Sequence, residues 1–159
     1  MSSRYAHLIA AVAAVSGLLF GFDTAVINGA ILFLRQGLGL STRGTEMATS
    51  SLLVGCAIGA ALAGWLTDRL GRKRILIVSA LLFAASAIGA AVPRHLGEFV
   101  AARLVGGLAI GLASVLAPLY IAEISPRAIR GRLVSLNQMA IVTGSLRAYF
   151  VHWLLSFAG

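Results

Sequence analysis

The sequence is poor in charge, in acidic residues and in cysteine, and each shortage excludes a class of protein. Only 11% of the 159 residues are charged, and only five are Asp or Glu, whereas about a quarter of the residues in a soluble domain are charged. So few charged residues cannot coat a water-soluble globule of this length. The one cysteine, Cys56, excludes a disulfide framework and a cysteine-based metal cluster within this chain, and we interpret it as a small packing residue.

Apolar residues are what the sequence has in abundance, at 59% of the chain. Stretches of about 20 apolar residues recur along it, and each is long enough to cross a hydrocarbon layer of roughly 30 Å as a helix. The net charge of +8 would suggest nucleic-acid binding in a soluble protein, but here the basic residues cluster between the apolar stretches. We therefore predict an all-α integral membrane protein whose partner is a lipid bilayer and not a nucleic acid.

Turn and stop signals divide the chain into five predicted transmembrane helices. Gly71, Pro93 and Pro126 each stand in a short connection, where one apolar stretch ends before the next begins. The predicted spans cover about residues 8–34, 47–66, 74–92, 99–122 and 133–157. Pairs of glycines four residues apart, typical of closely packed membrane helices, lie within these spans: Gly17 with Gly21, Gly55 with Gly59, and Gly107 with Gly111.

The basic residues are distributed unequally between the two sides of the predicted layer. Eight of the 13 Lys and Arg residues lie before the first span, in the connections after the second and fourth spans or, in the case of Arg74, at the very start of the third span, and three lie on the opposite side. The other two, Arg103 and Arg147, lie within spans. Because membrane proteins keep basic connections on the cytoplasmic side, we predict a multi-pass protein of the cell membrane with a cytoplasmic N-terminus.

Two ionisable residues fall at depths where water is scarce. Asp23 lies roughly 22 Å into the first predicted span, and Arg103 lies roughly 8 Å into the fourth, which enters from the other side. An unpaired charge at such depth costs several kcal/mol, so pairing of the two is the economical explanation. A movement that separates them favours protonation of the carboxylate, which would couple proton uptake to motion. A purely structural ion pair is the alternative.

Several separated motifs, in one order along the chain, resemble those of the sugar porter family of the major facilitator superfamily. The first is a loop that runs from Gly64 to Lys73 and matches Gly-x-x-x-Asp-Arg-x-Gly-Arg-Lys or Arg. The others are Gly21-Phe22-Asp23-Thr24, Asn28-Gly29-Ala30, Arg103-Leu-Val-Gly106-Gly107, Pro118-Leu-Tyr120-Ile-Ala-Glu123-Ile-Ser-Pro126, Arg130-Gly131 and Asn137-Gln138. Within that family the motifs resemble those of bacterial sugar-proton symporters for xylose, arabinose or galactose. The resemblance implies a carrier of twelve helices in two halves, with substrate bound between them, so that residues 1–159 are an incomplete N-terminal half that needs a missing C-terminal half for transport.

The resemblance also implies roles for individual residues. Asp23 matches the proton-coupling acid and Arg103 its partner. Gln138 and Phe20 match a glutamine and an aromatic residue that contact the sugar, and Ser145 stands where many members have a second such glutamine, which leaves the substrate open. A charge network that closes the cytoplasmic gate is matched by Asp68, Arg69, Arg72, Glu123 and Arg130.

Helical geometry gives an independent view of the fifth predicted span. At 100° per residue, Ser145 and Tyr149 fall within about 20° of Gln138, and His152 within about 40°, so polar side chains form a stripe that we expect to face a cavity. Contacts with neighbouring helices are the alternative. Arg147 lies about 180° from Gln138, and no role for it follows from the sequence.

These residues favour a proton-coupled sugar transporter over other classes. A uniporter of the same fold is the nearest alternative, and Asp23 argues against it. A truncated polypeptide that does not transport is a third possibility. No catalytic set, HExxH motif or metal-ligand spacing is present in the sequence, so we predict neither an enzyme nor a cofactor or metal site.

Overall fold

The structure, a computed structural model, describes residues 41–91, 93 and 95–156 together with Gly17 and Gly21. Within this described part the chain forms four α-helices: α1 (Thr42–Leu70), α2 (Arg72–Ala91), α3 (Leu96–Ile124) and α4 (Arg130–Ser156). They occupy the second to fifth predicted spans and extend up to a few residues beyond the apolar stretches at most of their ends. The reason is that polar flanking residues continue the hydrogen-bonded helix after the apolar stretch has ended.

The ends of α1 are set by a serine and a glycine. Ser41 caps the N-terminus, because its side-chain oxygen accepts a hydrogen bond of 3.3 Å from the backbone N–H of Gly44. Gly71 ends the helix with φ of +81° and donates its N–H to the carbonyl oxygen of Thr67 at 2.9 Å. A side chain at that φ would be strained, so glycine permits the immediate reversal into α2.

The connection between α3 and α4 is equally short. The backbone N–H of Ser125 still bonds to the carbonyl of Ile121 at 3.1 Å, and Pro126 then interrupts the helix. The carbonyl of Pro126 accepts from the N–H groups of Ile129 and Arg130, at 3.1 and 3.0 Å, and so starts α4. Gly71 and Pro126, both predicted as breaks, therefore lie at helix ends.

The chain divides into two compact units, one of residues 34–117 and one of residues 1–33 with 118–159. The first contains a buried apolar cluster in which α1, α2 and α3 meet: Ala63, Ile75, Leu112 and Leu116, with Leu66 and Leu76 against them. In the second, Ile121 and Leu133 form a smaller buried cluster with Ile129 and Val134.

Large apolar side chains remain exposed on the outer faces of the helices, as expected where lipid replaces water. Leu81 is 66% exposed, Ile88 76% and Leu146 68%. Three of the described helices, α1, α2 and α3, are long and apolar enough to cross a membrane. The described residues thus form an all-α fold, and three of its helices can span a membrane.

The count of five spans stays a prediction. Residues 8–34 fall almost entirely outside the described residues. The helix at the fifth predicted span, α4, forms as expected. It is not among the three described helices that are long and apolar enough to cross a membrane. Arginines at both its start and its middle, with several amides and hydroxyls between them, lower its apolar content.

Candidate functional site

Arg103 is buried in the middle of apolar helices. It lies on α3, two turns from the start of that helix, and only 3% of its side chain is exposed. A guanidinium in such surroundings is costly unless other groups compensate its charge. The burial of Arg103 is therefore what we expect of an arginine that pairs with a carboxylate. Its predicted partner, Asp23, lies outside the described residues, and the ion pair stays a prediction.

The helix that carries Arg103 meets α1 backbone to backbone. A Cβ atom added to Gly55 would contact the carbonyl oxygen of Leu104, and one added to Gly59 would contact that of Leu108. From the other side, a Cβ on Gly107 or on Gly111 would meet the backbone of α1. Small residues at this spacing let membrane helices approach closely, and the packing role predicted for these two glycine pairs is confirmed.

Gln138 lies on an open face of α4. Its side chain is exposed and lines an open-sided pocket of about 380 Å³ together with Ser135, Met139, Val142 and Thr143. The amide of Gln138 offers two donors and an acceptor, and the hydroxyls of Ser135 and Thr143 add further hydrogen-bonding groups. This mixture of amide, hydroxyl and apolar surface is suited to a polyhydroxylated ligand. Sequence reasoning identified Gln138 but missed the two hydroxyl residues.

Ser145 has a different environment from Gln138, although both lie on the predicted polar stripe. It is half-buried, and its hydroxyl lies 3.1 Å from the carbonyl oxygen of Gly21 and 3.2 Å from that of Ile141. A Cβ atom on Gly21 would meet the backbone of α4 at Ile141. The hydroxyl proton of Ser145 is therefore used in helix packing, and its oxygen keeps only acceptor capacity for a ligand.

Asn137, the neighbour of Gln138 in sequence, lies on a buried face of α4. Asn137 is 7% exposed, and a Cβ added to Gly17 would lie 3.1 Å from both its backbone carbonyl and its side-chain oxygen. The Gly17 and Gly21 pair thus packs against α4, as its spacing predicts. Tyr149, further along the stripe, is 54% exposed, and Arg147 is exposed as well.

The residues of the predicted gate are found at helix ends. Asp68 and Arg69 are exposed at the end of α1, and Arg72 is half-buried at the start of α2. The guanidinium of Arg69 lies over the ring of Trp65, 4.3 Å from its centre. Sequence reasoning missed this cation–π contact, although the spacing of four residues places both side chains on one face of the helix.

Glu123 and Arg130 are both exposed, one in the last turn of α3 and the other at the start of α4. Their membership of one network with the α1–α2 turn stays a prediction. The pocket aromatic Phe20 lies outside the described residues. Across the part of the chain that is described, no three His, Cys, Asp or Glu side chains come together to hold a metal ion.

Comparison with known proteins identifies the family. The model of the family described as "Sugar (and other) transporter" matches residues 9–159. Among curated relatives, a glucose transport protein of Synechocystis is 45% identical over 96% of this chain and 33% of its own length. The arabinose-proton symporter of Bacillus subtilis is 42% identical over 99% of this chain and 34% of its own length.

A solved structure of the major facilitator superfamily proton:xylose symporter XylE, bound to 6-bromo-6-deoxy-D-glucose, superposes with a TM-score of 0.87 at 38% identity. The match covers 100% of this chain and 39% of the symporter chain. An inward-open structure of the xylose transporter XylE from E. coli gives a TM-score of 0.86 at 39% identity, over 98% of this chain and 41% of that one. The chain thus spans between a third and about two fifths of the proteins that it matches.

The family match and the structural superposition agree, because each covers nearly the whole chain. With the family match running from residue 9 to residue 159, this chain belongs to the sugar (and other) transporter family, within the major facilitator superfamily.

Proposed function

We propose that the protein containing this chain is a secondary transporter that moves a monosaccharide across the cell membrane by alternating access, coupled to protons. The observation that carries the proposal is the burial of Arg103, at 3% exposure, in a helix apolar enough to span a bilayer. Intramembrane charges of this kind are costly and are typically functional. Relatives named as arabinose-proton and D-xylose-proton symporters supply the sugar and the proton.

We assign the coupling of proton uptake to sugar transport to Asp23 and Arg103. While the two side chains are paired, the carboxylate of Asp23 is held in its charged form, and when they separate in an apolar site it takes up a proton. A proton then enters with each cycle in which the pair opens and closes. The burial of Arg103 supports this scheme, since a guanidinium kept away from water gives the carboxylate one defined partner to return to.

Sugar binding is assigned to the open face of α4, with Gln138 as the principal hydrogen-bonding group. Its exposed amide lines the pocket of about 380 Å³, where it can donate to and accept from neighbouring sugar hydroxyls. Ser145 contributes an acceptor at most, because its proton is engaged by the carbonyls of Gly21 and Ile141. Phe20 is proposed to cover the apolar side of the sugar ring.

A gate on the cytoplasmic side is assigned to Asp68, Arg69 and Arg72 with Glu123 and Arg130. These residues lie at or beside the α1–α2 and α3–α4 connections, where most of the basic residues outside the predicted spans are found. That bias supports a cytoplasmic N-terminus. We further propose that the remainder of a full-length carrier, which supplies the second half of the site, is needed for transport.

The test uses the full-length carrier reconstituted in proteoliposomes. Addition of sugar to the wild-type protein should alkalinise the external medium, and Asp23→Asn should abolish both this signal and sugar accumulation while leaving sugar counterflow in place. Sugar uptake by the wild type without any proton movement would instead identify a uniporter. Proton uptake that survives in Asp23→Asn would remove the coupling role of Asp23. The 159-residue chain expressed alone is expected to transport nothing.

A further inference from the structure

A buried serine on α2 is hydrogen-bonded to the turn of α3 that carries Arg103. The hydroxyl of Ser86 lies 2.7 Å from the carbonyl oxygen of Ala102, and Ser86 is only 5% exposed. Ser79 lies two turns earlier on the same face of α2 and is 3% exposed, but its hydroxyl bonds to the carbonyl of Leu76 in its own helix, at 2.9 Å. The two buried serines therefore differ in one respect, since only Ser86 of this pair ties α2 to another helix.

Gly106 makes room for this hydroxyl. A Cβ atom added to Gly106 would collide with the side-chain oxygen of Ser86, and it would lie 3.3 Å from the Cβ of Ser86 and 4.0 Å from a methyl group of Leu52. One turn further along α2, a Cβ on Gly89 would lie 3.3 Å from the Cβ of Ala102. At this point of the contact between α2 and α3, the absent side chain of Gly106 leaves room for the Ser86 hydroxyl.

The same turn of α3 is held from a second direction. A Cβ atom on Gly55 of α1 would contact the carbonyl oxygen of Leu104, the residue after Arg103, and one turn later Gly107 meets the backbone of α1 at Leu52 and Gly55. Ser86 acts from α2 and the glycine contact acts from α1, so the backbone of α3 is restrained on two sides at the point from which the Arg103 side chain begins. A slide or rotation of this turn along α2 would break the Ser86 bond and leave a buried carbonyl without its second partner.

We propose that Ser86 is a positioning residue for Arg103, whose hydroxyl holds the arginine-bearing turn of α3 in place throughout the transport cycle. The inference rests on the proposed function for its consequence, which is tight coupling of proton to sugar. Without the hydroxyl, the turn gains freedom, the guanidinium no longer returns to one place, and sugar crosses in cycles that carry no proton.

The experiment compares Ser86→Ala with Ser79→Ala in the full-length carrier in proteoliposomes. Proton-driven accumulation and counterflow are measured side by side, because a merely structural defect lowers both equally. We expect Ser86→Ala to lower accumulation and the number of protons moved per sugar by about fivefold, the factor that corresponds to loss of about 1 kcal/mol, with counterflow retained. Ser79→Ala should change neither. Equal losses in both assays, or no loss in either, would overturn the proposal.

A double variant separates the hydrogen bond from simple packing. In Ser86→Ala combined with Gly106→Ala, the added methyl group fills the space of the missing hydroxyl at the cost of a shift of a few tenths of an ångström, but it restores no hydrogen bond. We expect coupling to stay low in this variant. Recovery of coupling would show that volume alone matters and would contradict the proposal.

A structural measurement keeps this proposal distinct from the proposed function. Amide hydrogen exchange of peptides covering residues 99–110 should be faster in Ser86→Ala than in Ser79→Ala or the wild type. If the wild-type carrier moved no protons, the proposed function would fail while this exchange difference could still be found. Unchanged exchange in Ser86→Ala would overturn the positioning role by itself.

Discussion

In the unit of residues 34–117 the helices meet backbone to backbone, whereas α4, in the other unit, keeps a polar face open. Around Arg103 the close contacts include those of helix glycines and one buried hydroxyl. Around Gln138 the side chains are exposed and border a pocket of about 380 Å³. Close packing suits a charge that must be held at one point, and an open amide-bearing face suits a ligand that must enter and leave.

The largest expected effect separates the two arginines that lie within predicted spans. Arg103 is buried at 3% exposure, and Arg147 is exposed. Arg103→Gln should reduce proton-driven sugar accumulation about 100-fold or more, because breaking the buried charge pair proposed with Asp23 would cost about 3–5 kcal/mol. Arg147→Gln should leave accumulation within about twofold, as for most exposed positions. Sugar accumulation by each variant of the full-length carrier is measured in proteoliposomes. If Arg147→Gln lost as much accumulation as Arg103→Gln, the contrast between the buried and the exposed arginine would be wrong.

A smaller effect is expected from filling the close contact between α1 and α3. Gly59→Ala places a methyl group against the carbonyl of Leu108 and should lower the free energy of unfolding by about 1–3 kcal/mol, the usual cost of overpacking. Gly64, on the same helix, has nothing within 4 Å of an added Cβ. Gly64→Ala should therefore leave stability unchanged or raise it by up to about 1 kcal/mol, since alanine favours helix.

Thermal unfolding of the purified protein in detergent, followed by circular dichroism, distinguishes these two glycine variants. Because both substitutions add the same methyl group to α1, a difference between them reports the contact and not the residue type. Equal melting temperatures for the two variants would show that the close approach contributes nothing to stability.

The smallest expected effect concerns the adjacent amides of α4. Gln138→Ala removes hydrogen bonds proposed to reach the sugar and should raise KM about tenfold, as expected for about 1.5 kcal/mol of lost hydrogen bonding, with the melting temperature unchanged. Asn137→Ala removes a side chain that is 7% exposed and packed beside Gly17. It should lower the melting temperature and leave KM unchanged. Sugar uptake kinetics and thermal unfolding measure the two variants, and the reverse pattern would overturn the assignment of the open face.

Much of the helix layout could be predicted from the sequence because local signals carry it. Gly71 and Pro126 act within their own turns of chain, through a positive φ and a missing N–H, and the glycine pairs at four-residue spacing mark faces that can approach another helix. Arg103 could be singled out because a charge inside an apolar stretch is conspicuous wherever it packs. Ser86 carried no such signal, since its acceptor lies on a different helix, 16 residues along the chain.

What the sequence determined by itself is the class of protein, the helical stretches and the motifs of the family, all of which depend on composition and on spacing within one segment. Only the tertiary structure decided which polar groups serve packing and which stay available. Gln138 and Asn137 are neighbours of the same chemical type, yet one lines a pocket and the other is buried against Gly17. The physical reason is that burial depends on what an adjacent helix presents, which the spacing within one helix cannot reveal.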